Sequence, residues 1–289
     1  MRPFRRTRTH LSTLALSLSL ALGAAVLPAA AQTAPDAGQL PPPANAAEAR
    51  LRELYEAEWL WRQQEFARER IDGRWQAADR LPSVTAGSWA RRAAYWKQVL
   101  DALDAIPVDQ LGPEERINAA VFRASVEANL NGATWRTYEA PFNSDTFFWG
   151  GLNPRQPYQS EADWRRFIGR LRDVGRYFDE HIANMEAGLA RGWSVPRSSV
   201  EGRDKTIEPY TLTSDDNPFL ATFANMPVTI KEPLRSQLQA EGRKVVLEHV
   251  VPAYSKLLSF MREEYLPRTR TTTAAADLPN GREFYRTQI

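Results

Sequence analysis

Histidine is where metal and general-base chemistry would first be sought, and this sequence has three. His10 stands near the amino terminus, His181 in the stretch YFDEHIANM and His249 in VLEHVVPAY. Neither His181 nor His249 has a second histidine four residues away, so a two-histidine zinc helix cannot be built on them. Both are expected to be structural or exposed. The absence of cysteine removes thiol nucleophiles, disulfides and thiolate metal sites together. No G-x-S-x-G elbow and no glycine-rich phosphate loop occurs. Asp215, Asp216 and Asn217 cluster in SDDNP. The run is too short for a calcium loop of the usual design and reads as a turn or helix cap.

The remaining chemistry lies in one aromatic stretch, residues 134–164. Phe147, Phe148, Trp149 and Tyr158 sit there among Gly150, Gly151, Asn153, Pro154 and Pro157. Such a loop either lines a cleft and offers its rings to a ligand, or is pinned to the body by those rings, and pinning is the expectation. If there is a substrate cleft, Trp149, Asn153 and Tyr158 are its candidates, with Arg203. Arg203 and Lys205, in VEGRDKTIEPY, could hold a carboxylate, although a solvated helix face is the simpler expectation.

These residues need a scaffold, and the scaffold reads as mainly α. Leu51, Leu54, Tyr55 and Trp59 mark one face of a helix from Glu48. A second is expected from Ser88, as cap, to about Ile106, with Trp89, Arg92 and Trp96 along one side. A third opens with Pro113 and acids in its first turn, and Ile117, Ala120, Val121 and Ala124 form its expected buried stripe. The best-marked helix runs from Glu161 to about Arg191. Ser160 and Asp163 form its capping box, and Gly192 is its terminal glycine. Its core face is Trp164, Phe167, Ile168, Leu171, Phe178, Ile182, Met185 and Leu189. A last long helix is expected from near Pro233 to about Leu266, kinked at Pro252, with Tyr254, Leu257, Leu258, Met261 and Tyr265 inward. Two irregular loops, 134–164 and 208–227, interrupt the helices. Strand signals are weak, and no run is bounded as a hairpin.

Residues 1–31 have the three parts of a secretory leader. Arg2, Arg5, Arg6 and Arg8 precede an apolar run at 11–26, and Ala29, Ala30 and Ala31 fit a cleavage site, placed after Ala31. The run is short for a spanning helix, and no cysteine follows to carry a lipid. Residues 32–46 read as a flexible Pro/Ala-rich spacer, and 47–289 as one helical domain. The whole sequence carries 37 basic and 35 acidic side chains, a net charge of +2. Without the leader's four arginines 33 basic side chains remain against 35 acidic ones, a net charge of −2. That gives no electrostatic case for nucleic acid, and no polybasic membrane patch once the leader is removed. The expected location is the periplasm, or outside the cell, of a Gram-negative type of bacterium.

Several segments, taken in order, resemble a known family. They are LYEAEWLWRQQEF, DRLPSVTAGSWARRAAYWKQVLDALDAI, LGPEERINAAVFRASVEANL, FIGRLRDVGRYFDEHIANMEAGLARGWSVPRSSVEG and VVPAYSKLLSFMREEYLPRTR with DLPNGREFY after it. This order resembles the bacterial domain of unknown function 885 family, over about residues 48–289. The resemblance implies a relationship to zinc metallopeptidases of the helical gluzincin type. In such proteins a His-Glu-x-x-Pro-Gly-His stretch further downstream binds the zinc and activates its water. That stretch is not in this sequence, so no catalytic or metal residue is assigned here, and zinc is expected only in the full-length family protein.

The final LPNGREFYRTQI opens a helix too short to hold itself. The expectation is an N-terminal part that is inactive alone; the resemblance to the helical peptidases implies, by analogy, that its long antiparallel helices supply part of one lobe over the substrate cleft. Its partner would be its own missing C-terminal half, and peptide the substrate of the full-length form. The stripes of its last helices would then be left uncovered. The alternative is a stand-alone periplasmic helical module that binds a peptide or glycan.

Overall fold

Asn45 starts the first helix, α1 (Ala46–Glu65), by accepting a hydrogen bond from the Glu48 amide at 3.0 Å. Glu48 answers with its carboxylate, which accepts from the Ala44 amide at 2.7 Å and the Gly112 amide at 3.1 Å. One buried acid thus caps α1 and ties it to the start of a later helix. The computed structural model describes residues 42–154 and 158–289. The leader, its cleavage position, most of the 32–46 spacer and Pro157 lie outside the described residues. Residues Pro43–Ile289 form one compact unit.

After α1 comes a feature the sequence did not announce as bounded, an antiparallel hairpin of β1 (Arg68–Ile71) and β2 (Arg74–Ala77). Asp72 (φ 48°) and Gly73 (φ 78°) make its two-residue turn, the left-handed pair that suits a tight hairpin. The strands are four residues each and mostly polar, so no apolar alternation marked them; the Asp-Gly pair was the legible signal. The fold is otherwise mainly α.

Helix α2 (Ala86–Asp104) is capped by Thr85, whose hydroxyl accepts from the Ser88 amide at 3.1 Å. The cap lies three residues before the expected one. Ser88 is buried in the first turn, where its hydroxyl meets those of Ser83 and Thr85. Both residues are good caps, and this hydroxyl cluster decides between them. Helix α3 (Pro113–Thr134) corrects a larger expectation. Its buried residues are Glu115, Ala119, Val126 and Ala133, while Ile117 and Val121 are each 65% exposed. The inward face is specified by small residues and by Glu115, which accepts from Arg52 of α1 at 2.5 Å. A stripe drawn through the largest aliphatics therefore fell on the opposite side.

The helix expected over 161–191 is two helices, α4 (Glu161–Arg172) and α5 (Val174–Ala190), parted at Asp173. Its expected core face is buried from Trp164 to Met185, and Leu189 is partly buried. Half of the capping box is present: Ser160 Oγ accepts from the Asp163 amide at 3.2 Å, while the Asp163 carboxylate accepts from the Ser160 hydroxyl at 2.5 Å. Gly192 has φ 76°, as a terminal glycine should.

Two short helices follow, α6 (Arg197–Val200) and α7 (Pro218–Ala224). Asn217 caps α7, accepting from the Phe219 amide at 2.9 Å and donating to the Tyr210 and Leu212 carbonyls. The SDDNP run is thus a turn and cap, and the 208–227 loop is partly helical.

The last long helix comprises α8 (Leu234–Val245), α9 (Val251–Phe260) and α10 (Leu266–Arg268), joined through wider π turns at Val246–Val250 and Met261–Tyr265. Pro252 and Pro267 each fall just after such a turn. A proline lacks the amide hydrogen and crowds the carbonyl four residues back, and a wider turn accommodates both. Tyr254, Leu257, Met261 and Tyr265 are buried and Leu258 partly so, so the stripes of the last helices are covered, against expectation. Finally α11 (Gly281–Arg286) is held by Phe284, edge-on to Trp135 at 5.7 Å and Trp193 at 5.0 Å. No helix among the described residues is long and apolar enough to cross a membrane.

Candidate functional site

Trp149, the first cleft candidate, is 1% exposed. Phe142, Phe147 and Phe148 each approach its ring to 5.0 Å. Its indole N–H donates to Thr206 Oγ1 at 3.1 Å, and its carbonyl accepts from the Tyr254 hydroxyl at 2.6 Å. This ring anchors the aromatic loop to the core and faces no open space. Arg203 lies over the Phe147 ring at 5.4 Å, beside the anchor and outside the cleft described next; Lys205 is exposed.

Asn153 and Tyr158 come together. They line a cleft of about 520 Å³ between the base of the hairpin, residues 80–82, loop residues 151–154 and α4. Among the described residues its lining includes three arginines, Arg68, Arg80 and Arg170, and no acidic residue. Arg170 donates to the Tyr158 hydroxyl at 2.8 Å and lies 5.6 Å from the Phe167 ring. Tyr158 is fixed at its other end, where its carbonyl accepts from Trp164 Nε1 at 3.1 Å. Arg68 donates to the Trp75 carbonyl at 2.8 Å, and Arg80 is exposed. The neighbouring Arg166 and Arg176 are matched with Asp163 and Asp173. Among the described residues, none of the three cleft arginines has such a partner. Asn153 turns its amide oxygen into the protein, where no group pairs with it.

The wall at 80–84 is held from behind by α5. Asp173 accepts from the Leu81 amide at 2.8 Å, and Arg176 donates to the Leu81 carbonyl at 2.8 Å. Glu180 accepts from the Val84 amide and Asn184 donates to the Val84 carbonyl, both at 2.6 Å. The Asp173 carboxylate, at the junction of α4 and α5, thus serves the wall. Gly169 on α4 is required by the same approach: a Cβ there would lie 2.6 Å from the Asp79 carbonyl oxygen. A larger groove, about 720 Å³, runs along the outer face of α5. Its Arg176, Glu180 and Asn184 are already engaged in holding the wall.

His181 lies behind the loop, stacked on Phe148 at 3.9 Å and edge-on to Tyr177 at 4.6 Å. Neither ring nitrogen has a partner, and burial pushes its pKa down to about 3, so the ring is neutral at ordinary pH. His249 is exposed. Among the described residues no group of three His, Cys, Asp or Glu side chains could hold a metal ion. The zinc implied by the family resemblance therefore finds no ligand set among the described residues.

The cleft arginines were not singled out from the sequence. Arg68 and Arg80 flank a hairpin whose strands were not recognised, and without it nothing places them beside α4. The Asp-Gly turn was the available signal.

The model of the family described as "Bacterial protein of unknown function (DUF885)" matches residues 69–289. The match begins within β1 and takes in the rest of the hairpin, the wall, the aromatic loop and the helices from α2 onward; α1 and Arg68 precede it. A solved structure is also similar, that of "the putative lipoprotein from Colwellia psychrerythraea". It superposes with a TM-score of 0.67 at 14% sequence identity, over 83% of this chain. The likeness is one of fold, and this chain spans 45% of that protein's length. No match is found among the curated proteins. With the family match covering most of its length, the chain belongs to the DUF885 family of bacterial proteins.

Proposed function

We propose that this chain is the helical, cleft-bearing part of an exported zinc-peptidase-like protein. It shapes access for a peptide, while the metal chemistry belongs to a longer form. The observation that carries this reading is the cleft at the hairpin and α4, built by a member of this family on a mainly helical scaffold. The similar solved structure, of which the chain spans 45%, supports a longer whole. Tyr158 positions Arg170, α5 fixes the wall, and the anchored Trp149 holds the loop that forms the far side. Alone, the chain is expected to retain no zinc and hydrolyse no peptide.

A second reading is favoured by the same cleft being complete within this chain. A helical periplasmic module could use it to bind a peptide or glycan with no chemistry at all. The two are separated by measuring zinc content and peptidase activity of this chain alone, and of the product of the locus read on past the Ile289 codon. Zinc and hydrolysis in the longer product only support the peptidase reading. A folded short chain with no longer product sinks it in favour of the module.

A further inference from the structure

We propose that the Arg68–Arg80–Arg170 cleft is a carboxylate-binding subsite that takes the acidic group of a short peptide, a terminal or side-chain carboxylate. The inference rests on the proposed peptide-handling role and names what the cleft selects. Its first support is charge. Among the described residues, three arginines and no acid line one cleft of about 520 Å³. Close by, Arg166 of α4 and Arg176 of α5 are each matched with an acid, whereas the three cleft arginines stand together without one among the described residues. A cleft with three uncompensated cations is electrostatically incomplete, and a ligand anion completes it. Guanidinium is suited to this, since its planar fork meets a carboxylate with two parallel hydrogen bonds.

The second support is preorganisation. Arg170 is held by the Tyr158 hydroxyl at 2.8 Å and by the Phe167 ring. Arg68 is held by the Trp75 carbonyl at 2.8 Å. These contacts fix the stems while using one donor nitrogen of each fork, so further N–H groups stay available. Less side-chain freedom is lost on binding when the groups are already placed. Arg80, exposed and on the wall tied to α5, supplies the more adaptable third charge. The apolar lining from Phe66, Leu81 and Leu152 offers contact to the rest of a peptide and is not needed by a bare ion.

The test is calorimetric titration of the full chain with three short peptides of one neutral sequence. One has a free C-terminus, one is C-terminally amidated, and one is amidated but carries a single glutamate. Succinate and inorganic phosphate are titrated beside them. The free-acid or the glutamate peptide should bind about tenfold more tightly than the neutral amide, as expected for a charge-assisted contact. Which of the two gains identifies the source of the carboxylate. Arg80→Glu, a surface change with no internal partner to lose, should abolish that advantage, and 0.5 M NaCl should shrink it. Equal affinity for all three peptides, or an advantage untouched by Arg80→Glu, overturns the inference while leaving peptide binding intact. Succinate binding that depends on Arg80, with no peptide binding tighter than it, keeps the carboxylate subsite and removes the peptide role.

Discussion

The helices from α4 onward and the layer of α1–α3 are built on different principles. In the first, aromatic and aliphatic side chains recur at helical spacing and meet in one continuous core, from Trp164 and Phe167 through Phe223 to Tyr254 and Tyr265. In the second, smaller apolar clusters are joined by buried or half-buried ions. Glu48 caps two helix starts. Glu58 accepts from the Trp96 indole at 3.2 Å. Arg92, fully buried, lies over Phe66 and Trp89, pairs with Glu65 at 2.9 Å and donates to the Ser83 carbonyl. A core made of greasy side chains tolerates the loss of any one polar contact. A layer made of ion pairs leaves a buried charge when one partner is removed.

That contrast can be broken first where it is strongest. Trp164→Ala removes a fully buried ring from the large core, and chemical denaturation should show a loss of about 3–5 kcal/mol. In the α1–α3 layer the sensitive change is polar. Glu65→Gln should cost about 1–3 kcal/mol, below the figure for fully buried pairs because Glu65 is partly exposed. Arg92→Met, which removes the charge with its need for a partner, should cost less than Glu65→Gln if the ion pair rather than volume governs this site. The reverse order would mean that the layer is held by volume like the core.

The buried imidazole of His181 sharpens the contrast through pH. His181 titrates at about 3 in the folded protein and near 6.5 when unfolded. The folded state therefore resists the proton that the unfolded state accepts. Its contribution is complete above pH 6.5 and is lost at about 1.4 kcal/mol per unit as pH falls from 6.5 towards 3. His181→Leu should flatten that part of the stability profile relative to the unsubstituted protein. Equal slopes would remove His181 from the acid response. The smallest effect belongs to the outer face of α3, where Ile117→Glu with Val121→Glu should change stability by no more than about 0.5 kcal/mol for each substitution. A loss of several kcal/mol would restore the face that the sequence pattern favoured.

The two regions also differ in how far the sequence disclosed them. Apolar spacing is a sound guide where burial is apolar, so the inward faces of α4, α5 and α9 were legible residue by residue. On α3 the buried positions are Glu115, Ala119, Val126 and Ala133, and the expected stripe of Ile117, Ala120, Val121 and Ala124 is exposed. Helix junctions were less legible for a related reason. Nothing local distinguishes Asp173 from a solvent-facing helical acid until its partner, the Leu81 amide, is known. The π turn before Pro252 could be read only as a kink, and the one before Pro267 gave no signal. For the site, two of the four candidates, Asn153 and Tyr158, line the cleft. Trp149 proves to be the anchor of its loop and Arg203 a neighbour of that anchor. The charges of the cleft come from three separated segments joined by tertiary contacts alone.

The central claim is that the surface between the hairpin, the 80–82 wall, loop residues 151–154 and α4 is where this chain meets a peptide. Amide hydrogen exchange of the full chain with and without a short free-acid peptide tests it most directly. The account predicts added protection confined to residues 77–82, 151–154 and the Arg170 turn of α4, lost in the Arg80→Glu variant. Protection centred on the outer face of α3 or the α5 groove, with the cleft unchanged, would contradict it.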